Sequence, residues 1–323
     1  MPIVEVAHNC FQVPLPLPFA LNLVNCYLLR DDDGWSVVDA GLHTPAGEAA
    51  WRAAFAALNL EPQTIRQIVL THFHPDHFGM AGWLQSLSGA LVLLAPRELE
   101  QANAMWGKPP TLRDPLVPLL LAHGCPDALV TTIEATVADL RAATFPHPTV
   151  TPLLPGSHVQ MGGRTFTAIH APGHSDGQLI FYDADDRLLL SGDHVLNKIT
   201  PHIGLWPGSE PDPLGRYLAS LTDLATLAVR LALPGHKTLI ADWPGRINEL
   251  QHHHAERLAV MLAAVETSAT SYEVACTVFP FARFTPHEQR FAIAETSAHL
   301  ERLVLQGDLE RSESPVVRYH RVK

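Results

Sequence analysis

The sequence predicts a layered domain of mixed helices and strands, carrying a helical insertion and ending in a small winged-helix-like module. Three observations point there. Apolar strand runs alternate with amphipathic helices as far as Leu94, and the strand signal then vanishes from about Arg97 to Pro148. After about Asn248, three helical segments precede two short strand-like pieces. With 323 residues and 47% hydrophobic content the chain can build a real core, and about two domains are expected at ~150 residues each.

Asn25 to Arg30 and Trp35 to Asp39 read as strands around the turn signal Asp31-Asp32-Asp33-Gly34. Thr44 to Leu60 places Trp51, Phe55 and Leu58 at helical spacing. Ile65 to Thr71 is a buried-type strand running into His72, followed by a helix from Gly79 to Leu87 and a strand from Ala90 to Leu94. The insertion, about residues 97–150, holds Trp106, a break at Pro109-Pro110, the apolar run Leu116 to Leu121 and a helix from Ala128 to Ala143. Strands resume at Thr165 to His170, Gln178 to Tyr182 and Arg187 to Ser191. A helix over Leu214 to Arg230 leads to the short strand Leu231 to Leu233. The tail reads as helices over Glu249–Val265, Tyr272–Phe279 and Pro286–Gln306, then a hairpin. The expected domains are therefore 1–248 and 249–323.

Charge narrows the function. The 22 basic and 33 acidic residues give −11, so no global basic field draws the protein to nucleic acid or anionic membranes. The tail carries 9 basic against 10 acidic residues from 245 to 323, which disfavours DNA despite its outline. No run of ~20 apolar residues could span a membrane. Four scattered cysteines form no disulfide framework, and no basic residue precedes Arg30 as a secretion signal requires, so a cytoplasmic protein is expected.

Nineteen histidines are many for this length. The decisive run is His72-Phe73-His74-Pro75-Asp76-His77, three imidazoles and a carboxylate just past a buried strand. These are zinc-type ligands, and burying them without a metal or hydrogen bonds would be costly. Two further strands end alike, in Pro172-Gly173-His174 and Pro234-Gly235-His236, and a third ends in Ser191-Gly192-Asp193. Glycine there is expected to allow the sharp turn that projects the ligand.

With Asp39 in Val-Val-Asp-Ala-Gly, these elements resemble the metallo-β-lactamase superfamily of metallohydrolases, over roughly residues 20 to 245. The resemblance implies an α+β fold, the αββα sandwich, with two divalent ions at one edge: zinc first, iron or manganese as alternatives. It implies that His72, His74 and His174 hold one ion and Asp76, His77 and His236 the other. Asp193 would bridge both, and Asp39 would orient ligands from behind. A bridging hydroxide would then attack the substrate, since even one zinc lowers the pKa of water to about 7. Asp76 is the candidate for orienting that nucleophile or moving its proton.

Departures narrow the substrate. The bridging position is Asp193 rather than the cysteine of the best-known antibiotic-destroying enzymes, and Leu196 stands where quorum-quenching lactonases carry tyrosine. The tail resembles that of the group including β-lactamase-like protein 2 and glyoxalase II-like enzymes. The leading expectation is a dinuclear hydrolase of a small thioester, lactone or carboxylic ester. A single-strand RNA endonuclease and a mononuclear iron persulfide dioxygenase are the alternatives. The insertion is expected to cap the metals. Trp106, His194, His202 and Tyr217 are candidates for the substrate pocket, and His252-His253-His254 for a solvated helix face. Homodimerisation through the tail is left open.

Overall fold

The computed structural model describes residues 2–107 and 114–322, so the Pro109-Pro110 break lies outside the described residues. The described residues divide into two compact units, one of residues 2–107, 140–201 and 227–243, the other of 114–139, 202–226 and 244–322.

The first unit is a sandwich of two sheets. The first sheet follows chain order through β1 (Val4–Ala7), β2 (Cys10–Pro16), β3 (Leu23–Asp31), β4 (Gly34–Val38), β5 (Ile65–Val69), β6 (Leu91–Leu94) and β7 (Val150–Pro152). It is antiparallel up to β4 and parallel from β4 onward. The second contains β8 (His158–Met161), β9 (Arg164–His170), β10 (Leu179–Asp183), β11 (Leu188–Gly192) and β12 (Leu231–Pro234), in the order β12-β11-β10-β9-β8. Leu29, Val38 and Val69 from one sheet meet Phe166, Phe181, Leu190 and Leu233 from the other in a closed core. The period-2 burial of β9 and the continuous burial of β11 reflect one solvated and two covered faces.

Helices cover this sandwich. In α1 (Pro45–Leu58), Thr44 caps the N-terminus through the Gly47 amide, and Trp51 donates its indole N–H to the Ala40 carbonyl at 2.8 Å. The single-turn α2 (Pro75–Phe78), then α3 (Ala81–Ser88) and α4 (Pro96–Met105), follow.

The second unit collects α5 (Leu116–Ala122), α6 (Asp127–Ala142) as far as Asp139, α7 (Pro213–Leu224), most of α8 (Trp243–Ala264), α9 (Ser271–Val278) and α10 (Pro286–Gln306). Its three-stranded sheet runs β13 (Ser268–Ala269), β15 (Arg318–Arg321), β14 (Leu309–Ser312). Reciprocal capping boxes, Thr270 with Glu273 and Thr285 with Glu288, start α9 and α10. The insertion is divided between the two units. Its α4 belongs to the sandwich, whereas the end of α5 joins the C-terminal core, where Val317 N–H donates to Ala122 O at 2.8 Å and His123 stacks on Tyr319.

Two local expectations change. The α7 helix stops at Leu224 rather than Arg230, the chain passing through a turn at Ala225 and Thr226 before β12. The three consecutive histidines do not share a solvated face, because successive helical residues project about 100° apart. His252 is exposed and pairs with Glu256, while His254 is buried with Nδ1 at 3.2 Å from His299 Nε2. Among the described residues, no helix is long and apolar enough to cross a membrane.

Because Phe181 is fully buried between the sheets, Phe181→Ala should destabilise the protein by about 3–5 kcal/mol in urea denaturation. Leu91→Ala, at a side chain that stays 60% exposed, should cost under about 0.5 kcal/mol. Similar losses for both would overturn this placement of the core.

Candidate metal centre

The chemical side chains of the sandwich hang from the C-terminal ends of strands. Asp39 follows β4, His72 follows β5, His174 follows β9, Asp193 follows β11 and His236 follows β12. β4 and β5 are parallel, as are β11 and β12, and β9 and β11 both run antiparallel to β10. Each sheet therefore delivers its ligands to one edge. Backbone bonds join the two edges: Asn25 N–H donates to Gly235 O at 2.7 Å and Leu179 N–H to Thr71 O at 3.0 Å. After His74, Pro75 opens α2 and folds Asp76 and His77 back into the same space.

Three groups of donor atoms, each within 4.8 Å of one another, can hold a cation: His72, His74 and His174; His72, His77 and Asp193; Asp76, His77 and His236. In the first, His74 Nδ1 lies 3.1 Å from His72 Nε2 and 2.9 Å from His174 Nε2. Tetrahedral ligands ~2.05 Å from a zinc ion would stand about 3.3 Å apart, so the spacing suits one ion. Asp193 lies between the groups, Oδ2 at 3.7 Å from His174 Nε2 and 3.2 Å from His236 Nε2. Asp76 Oδ2 is 3.3 Å from His236 Nε2.

The outward-facing ring nitrogens settle which atoms face inward. His77 Nδ1 donates to Asp39 Oδ2 at 2.8 Å, and His236 Nδ1 donates to the Leu23 carbonyl at 2.7 Å. Both acceptors lack protons, so both Nε2 atoms point to the centre. His77 Nε2 and Asp193 Oδ1 are buried, 3.4 Å apart, and have no hydrogen-bond partner among the described residues. A ring lone pair facing a carboxylate oxygen needs a positive charge between them, and the residues thus fit a divalent cation. Asp39 also accepts from the Thr71 amide at 2.8 Å and its hydroxyl at 2.9 Å, while Thr71 Oγ1 sits 2.9 Å from His72 Nδ1. Its backbone is left-handed (φ +60°), a conformation Asp tolerates better than most residues.

Without a cation the two sides of the centre differ in charge. Burial pushes His72 and His74 well below the usual imidazole range, and neighbouring imidazoles add to it. Burial also acts against charge on His77, yet Asp193, Asp39 and Asp76 outweigh it and hold the ring well above its usual value. Likewise burial opposes, but Asp193 and Asp76 prevail, at His236, pushed up to about 10. Burial alone would raise Asp76 and Asp193, and the two histidines instead hold both carboxyls low.

The structure brings His72, His74, Asp76, His77, His174, Asp193, His236 and Asp39 together. The pocket candidates fare differently. Trp106 is buried and donates its indole N–H to Phe73 O at 2.9 Å, so it braces the ligand run. His194 is buried beside Asp193, and burial, with His174 and His170, pushes it down to about 3. His202 and Tyr217 belong to the second unit, where His202 Nε2 lies 2.9 Å from Phe291 O and Tyr217 is fully buried against the His254 ring.

Sequence reasoning missed several supports. Tyr27 donates to Pro234 O at 2.7 Å and Asn25 to Lys237 O at 3.1 Å, fixing the His236 loop. Gln178, its carboxamide oxygen turned inward, accepts from the amides of Asp193 at 3.2 Å and His194 at 3.0 Å. Gly235 is not the sharp turn expected of it, though Gly173 is left-handed (φ +132°). Its role is space: a Cβ there would collide with Asp193 Oδ1 and lie 2.6 Å from His77 Cε1. Only the glycine placement was visible in the sequence, since the other partners are backbone groups far along the chain.

Comparison with known proteins agrees with this geometry. The family model "Metallo-beta-lactamase superfamily" matches residues 20–236, and "Metallo-beta-lactamase-like, C-terminal domain" matches 258–322. The metallo-beta-lactamase family protein TTHA1429 of Thermus thermophilus superposes with a TM-score of 0.89 at 35% identity, over 98% of this chain and 100% of that one. "Probable metallo-hydrolase YqjP" of Bacillus subtilis is 26% identical over 306 residues, 91% of each chain. The lactamase-like protein nscB of Arthroderma benhamiae is 32% identical over 142 residues, 44% of this chain and 30% of that protein, so the match spans under half of this fungal relative. Sandwich, strand-end ligands and tail lead to one conclusion: the chain belongs to the metallo-beta-lactamase superfamily.

Proposed function

We propose that the protein binds two divalent ions, most simply zinc, and hydrolyses a small ester-like substrate such as a thioester, lactone or carboxylic ester. The observation that carries this reading is Asp193, whose two oxygens address His77 on one side and His174 and His236 on the other. His72, His74 and His174 would hold one ion, Asp76, His77 and His236 the other, with Asp193 shared between them. When bound, the ions supply Lewis acidity and lower the pKa of water toward neutrality.

The chain's own groups divide the remaining work. His74 and Asp76 are the only members of the centre that are partly exposed, so substrate approaches from their side. Asp76 can orient the attacking water and take up its proton through the oxygen not turned toward His236. Asp39 and the Leu23 carbonyl keep the ring nitrogens aimed. The −11 charge repels a polyanionic strand and leaves small acyl compounds the better fit. We place the protein in the cytoplasm, with a small molecule as partner.

Asp193→Ala should abolish loading of the second ion and turnover together, read by elemental analysis after dialysis and by assay. Full activity with two ions retained would sink the assignment. Side-by-side assays of the zinc-loaded protein on an acyl thioester, an acyl lactone and short single-stranded RNA, against a chelated control, test the substrate class. Metal-dependent cleavage of the acyl compounds alone is expected, and cleavage of RNA alone would overturn it.

Binding at the Asp76, His77 and His236 group must displace protons from the two histidines, whereas His72 and His74 are already neutral. Affinity at the acidic group should therefore rise with pH toward about 10, by about tenfold per unit for each proton displaced. Affinity at the three-imidazole group should respond less. Zinc titrations at pH 6, 7 and 8 in buffers of different ionisation enthalpy read both steps, and equal pH slopes would contradict the charge assignment.

A further inference from the structure

The helix α4 enters none of the ligand groups, yet one of its side chains touches both loops that carry the three imidazoles. Glu98, in its first turn, is fully buried. Its Oε2 accepts from the Phe73 amide at 2.8 Å and its Oε1 from the Gly177 amide at 2.6 Å. Phe73 stands between His72 and His74, and Gly177 three residues beyond His174. We propose that Glu98 is a positioning residue that sets the distance between the His72–His74 loop and the His174 loop, and hence the geometry of the three-imidazole group. The inference rests on the assignment of those histidines as ligands.

The neighbours of Glu98 act on the same two loops. Arg97 Nη2 donates to Asp176 Oδ2 at 2.7 Å and Gln101 Nε2 to the same oxygen at 3.1 Å, while Trp106 donates to Phe73 O. Gly177 lets the helix come close, since a Cβ there would lie 2.7 Å from Arg97 Cβ and 3.1 Å from Glu98 Oε1. The choice of a carboxylate is informative. Burial pushes the Glu98 carboxyl up to about 7 even against the two amide donors, so the group is held in place at a cost in solvation. What it supplies is two acceptors at one fixed separation. A glutamine offers one acceptor and would turn an NH2 donor at the other amide. Fixing ligands through groups behind them is a recognised lever on metal affinity, of about 10–100-fold.

The test uses the full chain with cobalt(II) or zinc as probe, comparing wild type, Glu98→Gln, Glu98→Asp and His174→Ala. Stepwise affinities come from chelator competition, the cobalt d–d absorption reports ligand geometry, and the metal-free melting temperature reports folding. Glu98→Gln should weaken the step that His174→Ala removes by about 10–100-fold and change its cobalt spectrum. The other step should move less than about threefold. Glu98→Asp keeps two acceptors and should recover part of the loss, which also covers the case in which Glu98→Gln folds poorly. A lowered metal-free melting temperature with both affinities unchanged would make Glu98 merely structural, and equal weakening of both steps, or no recovery with Asp, would overturn the clamp. If His174→Ala leaves both steps intact, the ligand assignment falls first. If it removes one step and Glu98→Gln leaves that step untouched, only the clamp falls.

Discussion

The hydrogen bond from His77 Nδ1 to Asp39 governs how the rest of the centre is arranged. It sends the ring's other nitrogen toward Asp193, so that a buried ring nitrogen and a buried carboxylate oxygen face each other at 3.4 Å. Among the described residues no other group bonds to either atom, and a cation or a proton satisfies both. The same Asp39 carboxylate ties down Thr71, which sits against His72 Nδ1, so one residue aims ligands into two different groups. Its left-handed backbone at the end of β4 is part of the device, because it turns the carboxylate back over the ends of β4 and β5.

Such a centre cannot hold itself together. Converging lone pairs repel, and buried carboxylates lose hydration, so the ligands must be set on elements whose positions are decided elsewhere. The two-sheet core does this. Phe166, Phe181 and their neighbours lock the sheets face to face, and parallel strand directions then bring out five chemical side chains at one edge. Backbone bonds across that edge, such as Asn25 to Gly235, carry the rigidity of the core into the loops. The Glu98 clamp belongs to the same logic: its bonds end on amides beside the ligands.

Much of this was legible in the sequence, for physical reasons. A strand that ends in a histidine or aspartate announces itself twice, by its apolar run and by an unpaired ligand type after it. The run from His72 to His77 concentrates four such groups in six residues. What escaped reading has no local signature. Glu98 in a first helical turn looks like any acid complementing a helix dipole, and nothing near it points to Phe73 or Gly177. Tyr27, Asn25 and Gln178 act on backbone groups that only the fold brings near. The histidine triplet failed differently, because exposure was inferred for all three while helix geometry turns His254 inward. The division into units was equally hidden, since α5 reads as part of an insertion and packs with residues two hundred positions later.

The charge asymmetry of the centre bears on how it works as well as how it is loaded. One side presents imidazoles that are neutral and receptive, the other carboxylates whose charge keeps protons on their histidine partners. A cation entering the first side needs to displace little, and its charge then lowers the proton affinity of His77 across the shared Asp193, 3.4 Å away. Under the two-ion reading proposed above, loading of the two sides would thus be coupled through one carboxylate. The coupling runs in the favourable direction as far as protons are concerned and in the unfavourable direction as far as cation repulsion is concerned. On that reading Asp193 would offset the second by placing a negative charge between the two groups, within 3.4 Å of His77 Nε2 and 3.7 Å of His174 Nε2. Gly235 leaves room beside that carboxylate: the space a methyl group would fill is the space Asp193 and His77 occupy.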